Sequence, residues 1–173
     1  MDALLNVIEA ASSALSDGPL YRFADWPPST VPNGPAGVYA IWHSSAFLYA
    51  GMSWRHVNTD EQIGSTPRGV LGRLASHASG RRSGDQFNVY ICDRFVIPEL
   101  TADDLTALRQ GERLLDNRTR SFVRDFLSFR VWIAPDGPTA RVVESTIRRD
   151  GLAKWGQPLI NPQLGSAPKF ASA

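Results

Sequence analysis

Residues 37–51 read GVYAIWHSSAFLYAG. Two short apolar runs rich in β-branched and aromatic residues, Gly37 to Trp42 and Phe47 to Gly51, flank the polar stretch His43-Ser44-Ser45-Ala46. A connection that short joins neighbouring strands only as an antiparallel hairpin. The tripeptides Gly37-Val38-Tyr39 and Tyr49-Ala50-Gly51 therefore lie on adjacent strands, with nine residues between the two tyrosines.

Upstream of the hairpin, Leu4, Leu5, Ile8, Ala11 and Leu15 recur at helical spacing, and Gly18-Pro19 ends that helix at about residue 16. Five of the twelve prolines fall between Gly18 and Pro35, which reads as an extended wrap leading into the first strand. Downstream, the chain is polar and irregular as far as Pro67. Val70, Leu71, Leu74, Ala75 and Ala78 then mark one face of a helix that Gly80 stops, with Arg73 and His77 four apart on the adjacent stripe. The alternation of Phe87, Val89 and Ile91 predicts a strand over Gln86 to Cys92, and Thr101 to about Asn117 reads as a helix capped by Thr101 or Asp103. Phe129 to Ala134 is a further strand. Asp136-Gly137-Pro138 starts a helix running from about Thr139 to Asp150, and Trp155 to Pro162 is irregular. Trp42, Trp54, Trp132 and Trp155 are read as core or edge-of-core residues.

These elements predict an α+β fold, a small mixed or antiparallel sheet flanked by helices. At 173 residues the chain has the size of one domain. Residues 1–35 form the N-terminal helix and proline-rich wrap, 36–163 the core with an insertion at about 94–139, and 164–173 a flexible small-residue tail.

Composition removes several functional classes. A hydrophobic fraction of 43% with 20% charged residues is that of an ordinary globular domain, and no apolar run approaches the roughly 20 residues of a membrane span. The N-terminus lacks the cationic and apolar blocks of an export signal, so the cytoplasm is the expected compartment. One cysteine, Cys92, with histidines at 43, 56 and 77, assembles no structural zinc site. The net charge is +1, yet the 18 basic residues are 16 arginines and two lysines, and arginine is the cation that matches phosphate. Arg68 to Arg82 holds four arginines and no acid, whereas Leu100 to Asp116 is acidic. Segregation of this kind suits a face that meets a polyanion.

The order of Gly37-Val38-Tyr39, Tyr49-Ala50-Gly51, Arg73 with His77 on a helix, Glu144 on a later helix and a closing Pro158-Leu159-Ile160-Asn161 resembles the GIY-YIG nuclease family over about residues 36–163. The second tripeptide carries Ala50 at a usually β-branched position, and Met52-Ser53 stand where related enzymes often have lysine. The spacing to the arginine-bearing helix is also longer than in minimal members, which leaves Arg68 as the alternative to Arg73. The extra length before the Glu144 helix resembles the restriction-enzyme branch.

The resemblance implies a metal-dependent endonuclease acting on nucleic acid, DNA first, with magnesium as cofactor and manganese as a stand-in, and a homodimer where both strands are cut. It implies catalytic roles for Tyr39, Tyr49, Arg73, His77, Glu144 and Asn161, with Glu144 as metal ligand. The chemistry fits these residue types. Tyr39 would take or relay the proton of the attacking water, which requires nearby positive charge to lower its pKa. Arg73 supplies that charge and binds the phosphate. Tyr49 would orient water or phosphate, and His77 would shuttle a proton or bind phosphate. Glu144 would give a divalent ion its single carboxylate, and Asn161 would pin the catalytic helix. Arg68, Arg81 and Arg82 are read as non-specific phosphate contacts, with Arg118, Arg120 and Arg124 as the alternative surface. The competing readings are a nucleic-acid-binding module of the same fold without turnover, motivated by Ala50 and the missing lysine, and a protein-interaction domain.

Overall fold

A computed structural model of the chain describes residues 2–54, 68–112 and 114–161. The expected irregular stretch up to Pro67 and the expected tail at 164–173 lie outside the described residues. The fold is α+β: among the described residues six α-helices surround one open, four-stranded antiparallel sheet. Helix α1 (Asp2–Asp17) precedes the two-residue strand β1 (Tyr21–Arg22). The hairpin follows as β2 (Gly37–His43) and β3 (Ala46–Ser53), then α2 (Gly69–Ala78) and α3 (Gln86–Ile91). Helices α4 (Ala102–Arg109) and α5 (Leu114–Phe126) lead into β4 (Leu127–Ile133) and the last helix, α6 (Gly137–Asp150). No helix among the described residues is long and apolar enough to cross a membrane.

The strand order is β1-β4-β2-β3, with every neighbouring pair antiparallel. β2 is central and buried along nearly its whole length, as its unbroken apolar composition demands. Ser44, with φ of 53°, supplies the left-handed residue of the two-residue turn. The fourth strand is β1, which takes its two residues from the proline-rich wrap and pairs Tyr21 with Phe129.

One irregularity in the hairpin decides the site. Trp42 pairs with Phe47, but Ile41 pairs with Tyr49, so Leu48 is a bulged extra residue. Because side chains alternate faces along a strand, this extra residue moves Tyr49 and Gly51 to the face carrying Tyr39 and Ile41. In strict register Tyr49 would oppose Ala40 and point away from Tyr39.

Each face of the sheet carries its own core. On the Tyr39 face, Ile41, Leu48, Phe87, Phe129, Val70, Leu74 and Val123 pack beneath α2, α3 and α5. On the other, Val38, Ala40, Trp42 and Ala50 pack against Ala11 and Leu15 of α1 and Ala140, Val143 and Ile147 of α6. Helix α6 lies against β2 and the edge strand β3, so residues on its margin reach that edge.

Three expectations are corrected. Gln86–Ile91 is a helix, not a strand: Phe87 and Ile91 are four apart and both buried, and Asp85 caps the helix by accepting from the Phe87 N–H at 3.1 Å. The helix expected over Thr101–Asn117 is two, broken at Gly111, whose φ of 86° stops α4; Thr101 forms a reciprocal capping box with Asp104. Trp54 is 51% exposed rather than core, and its ring lies over Gly137 at the start of α6. The final segment runs beside the edge of β3. Leu159 N–H donates to the Phe47 carbonyl and Ile160 N–H to the Leu48 carbonyl.

Candidate active site

Tyr39, at the middle of β2, is fully buried, and its Oη lies 2.7 Å from Nε2 of His77 on α2. The Nδ1 of the same ring lies 2.7 Å from Oδ2 of Asp85, which is also buried. Asp85 accepts in addition from the Ser76 hydroxyl at 2.8 Å and from the Phe87 N–H. Its cap position and its carboxylate role are thus two uses of one side chain. Tyr39, Tyr49 and Phe87 surround the His77 ring at centroid separations of 5.4, 6.0 and 4.5 Å, leaving little freedom to rotate.

The protonation states follow from these partners. Burial pushes the His77 imidazole below its ordinary value although Asp85 works to raise it, so His77 is neutral. Burial alone would raise Asp85, but the His77 and Ser76 hydrogen bonds and the Arg73 charge outweigh it and hold the carboxyl below the usual range. An ionised Asp85 therefore accepts Nδ1–H, which leaves Nε2 as a bare acceptor for the Tyr39 hydroxyl proton. The Arg73 guanidinium is within hydrogen-bonding reach of the same hydroxyl.

Burial and the neighbouring Tyr49 push the Tyr39 phenol well above its ordinary value, against the pull of Arg73. The expectation that positive charge lowers it is corrected: Arg73 is present, but desolvation is the larger effect. Tyr39 is a neutral phenol hydrogen-bonded to a base, not a standing phenolate.

Tyr49 stacks obliquely on Tyr39 with ring centroids 6.4 Å apart and is only partly buried. Burial raises its phenol above the ordinary value, with the charges of Arg73 and Arg148 working to lower it and those of Asp85 and Glu144 to raise it. Glu144 lies at the margin of the α6 apolar stripe, its side chain 12% exposed, and accepts from Arg148 Nη1 at 3.0 Å. Among the described residues no group of three His, Cys, Asp or Glu side chains gathers to hold a metal. One hard carboxylate oxygen donor suits magnesium or manganese, which complete their shells with water and substrate oxygens; it does not suit zinc.

The remaining sequence-predicted residues sit as follows. Asn161 does not pin a helix: its Oδ1 accepts from Ala50 N–H at 2.6 Å and its Nδ2 donates to the Ala50 carbonyl at 2.8 Å, clamping the edge of β3 at the residue after Tyr49. Arg68 and Arg81 are exposed, Arg68 at the start of α2, where Asn33 Oδ1 accepts its N–H, and Arg81 just beyond the end of that helix. Arg82 Nε donates to Asp116 at 2.9 Å. Arg118 bonds Asp104 at 2.6 Å, and Arg120 and Arg124 donate to the Ser79 and Ala78 carbonyls at the C-terminal end of α2. Basic and acidic segments that looked segregated along the sequence thus partly meet each other.

Sequence reasoning missed Asp85, Ser76 and Arg148. An Asp directly before the run Gln86-Phe87-Asn88-Val89 is a helix-cap signal, and Glu144-x-x-x-Arg148 is an i,i+4 pair, so both were open to detection. The sequence matches no model of a known protein family and no curated protein.

Proposed function

We propose that this protein is a divalent-cation-dependent endonuclease that hydrolyses phosphodiester bonds in nucleic acid, with DNA as substrate. The observation that carries the reading is the buried Asp85–His77–Tyr39 chain, its phenol facing an arginine. A carboxylate–imidazole–hydroxyl series is the arrangement by which a protein moves a proton from a weak acid without ever charging it in isolation. The Arg73 guanidinium beside it offers the fork that phosphate oxygens fit.

In this mechanism Arg73 binds a non-bridging phosphate oxygen and Tyr49 orients the phosphate or the water beside it. The Tyr39 oxygen accepts a proton from the attacking water as its own proton passes to His77 Nε2. Asp85 holds the imidazole tautomer and stabilises the imidazolium that forms. Glu144 would hold magnesium or manganese, which supplies electrostatic stabilisation of the phosphate charge when bound.

The test is incubation of the protein with linear duplex, nicked, single-stranded and RNA substrates, each with magnesium, with manganese and with chelator, beside Tyr39→Phe. Cation-dependent cleavage of DNA that Tyr39→Phe lacks is the expected result. Binding to nucleic acid with no cleavage in any arm would turn the reading into a binding module, and absence of binding would remove nucleic acid altogether.

A further inference from the structure

Helix α5 has two working faces. Thr119 and Val123 are its buried side, while Arg118, Ser121, Phe122, Asp125 and Phe126, at spacings of three and four, share a second stripe. That second stripe lines a hollow of about 400 Å³ between α5 and the short turns Cys92–Val96 and Ile97–Glu99. The Tyr39–His77–Asp85 chain contributes nothing to its lining. The apolar wall is aromatic: Phe95 and Phe122 stack with centroids 5.1 Å apart, and Phe126 lies 5.2 Å from Phe122. The His43 ring at the end of β2, which does not line the hollow, packs against all three and holds them in place. Phe126 is nonetheless 57% exposed, an aromatic surface that the core leaves uncovered.

The lining carries three carboxylates, Glu99, Asp104 and Asp125, against one guanidinium, Arg118. Asp104 and Arg118 satisfy each other at 2.6 Å, and the other Asp104 oxygen accepts from the Thr101 N–H and hydroxyl. Glu99 and Asp125 are exposed, and neither carboxylate has a hydrogen-bonded or ion-paired partner among the described residues. The uncompensated charge here is therefore negative, and an anion, nucleic acid included, is repelled. A neutral apolar ligand would cover the rings but take water from the carboxylates without replacing it. A cation with an apolar body gains from both, because ring faces and carboxylates attract the same charge. We infer that this hollow binds an organic cation, an alkylated ammonium or a guanidinium, seated among the phenylalanine rings and the carboxylates of Glu99 and Asp125. Its volume falls within the roughly 300–1,000 Å³ of small-molecule sites. The inference does not rest on the nuclease reading.

The test is a nuclear magnetic resonance titration of the full chain with tetramethylammonium, with ethylguanidinium, with tert-butyl alcohol as an uncharged body of similar shape, and with inorganic phosphate. Both cations should shift the Phe122 and Phe126 ring signals saturably at millimolar concentration. The alcohol should bind at least about threefold more weakly, and phosphate should leave the rings unmoved. Phe126→Ala removes the uncovered ring and should weaken the cations about three- to thirtyfold. Asp125→Asn removes one charge and should weaken them about two- to fivefold. Asp103→Asn, the same loss of charge at an exposed residue outside the hollow, should bind like wild type. Should Phe126→Ala fail to fold, the comparison of Asp125→Asn with Asp103→Asn decides alone. A second arm sets the free cations against short peptides carrying arginine or trimethyllysine. Tighter binding of a peptide supports a protein side chain as the source of the cation, and equal or weaker binding supports a free small molecule. Alcohol that binds as tightly as tetramethylammonium, an Asp103→Asn protein that loses as much as Asp125→Asn, or no saturable shift with either cation would overturn the inference.

Discussion

Tyr39 and Gly51 are register partners across the central hairpin, and the phenol of Tyr39 lies over Gly51 in the space a β-carbon would fill. A β-carbon there would meet the ring carbon Cε2 at 2.9 Å and the hydroxyl closer still. The glycine ending the second tripeptide is therefore a requirement of the tyrosine ending the first.

Gly51→Ala tests that dependence. Both partners are strand backbone, so the ring has to move, at a cost of about 1–3 kcal/mol. Movement of the ring also breaks its 2.7 Å contact with His77. Cleavage should fall by more than the melting curve accounts for at a temperature where the variant is fully folded. Wild-type activity in a folded Gly51→Ala protein would show that the position of Tyr39 is not critical.

Tyr39→Phe keeps the ring and removes the hydroxyl. Packing survives, but the buried His77 Nε2 is left without its donor, which costs about 1–3 kcal/mol. General-base assistance of this type contributes about 10²–10⁴-fold, so single-turnover cleavage should drop by that order with DNA binding retained. A rate within about threefold of wild type would mean the water is activated elsewhere.

Asp85→Asn removes the charge that raises the His77 pKa and fixes its tautomer. The imidazole should then titrate at lower pH than in the wild type, carrying the acid limb of the pH–rate profile down with it. The rate on the plateau should fall by about 10²-fold or more, because the imidazolium formed in the reaction loses its counter-charge. Nuclear magnetic resonance of the His77 ring follows the shift directly. An acid limb that stays in place would assign Asp85 to capping α3 alone.

Stability should decline on acidification earlier than carboxylates alone would require. Burial holds the folded His77 below the roughly 6.5 of a free imidazole, so below that pH the unfolded chain takes up a proton the folded chain refuses. The slope is about 1.4 kcal/mol per pH unit between the two values and ends once the folded imidazole protonates. Asp85, held low, adds its own loss in the carboxylate range. Urea titrations between pH 7.5 and 5 should show the His77 slope in wild type and lose it in His77→Gln; parallel curves would contradict the burial argument.

What the sequence made legible was whatever depends on local pattern. The hairpin, α1, α2, α6 and the strand ending near Ile133 all follow from periodicity and end signals. Three features did not, each because tertiary context decides it. The alternation of Phe87, Val89 and Ile91 is as good a strand as a helix until Asp85 caps it. The Leu48 bulge leaves no mark in composition, yet it sets which face Tyr49 joins. The Tyr39 pKa depends on desolvation, which is a property of the packed molecule. Asn161 was recognisable as a special residue near the end of the site, but its acceptor and donor on Ala50 lie 111 positions away.

That distant clamp bears on how two copies of the chain could join. A sheet grows by offering unpaired N–H and C=O groups to another strand. Along β3, the Phe47 and Leu48 carbonyls and both backbone groups of Ala50 are already taken by the chain's own closing segment. The opposite margin is β1, two residues long, a poor template for a neighbour. The Phe47–Ala50 stretch of β3 is thus closed to a second copy, and a dimer able to reach both strands of a duplex would have to meet elsewhere on the molecule.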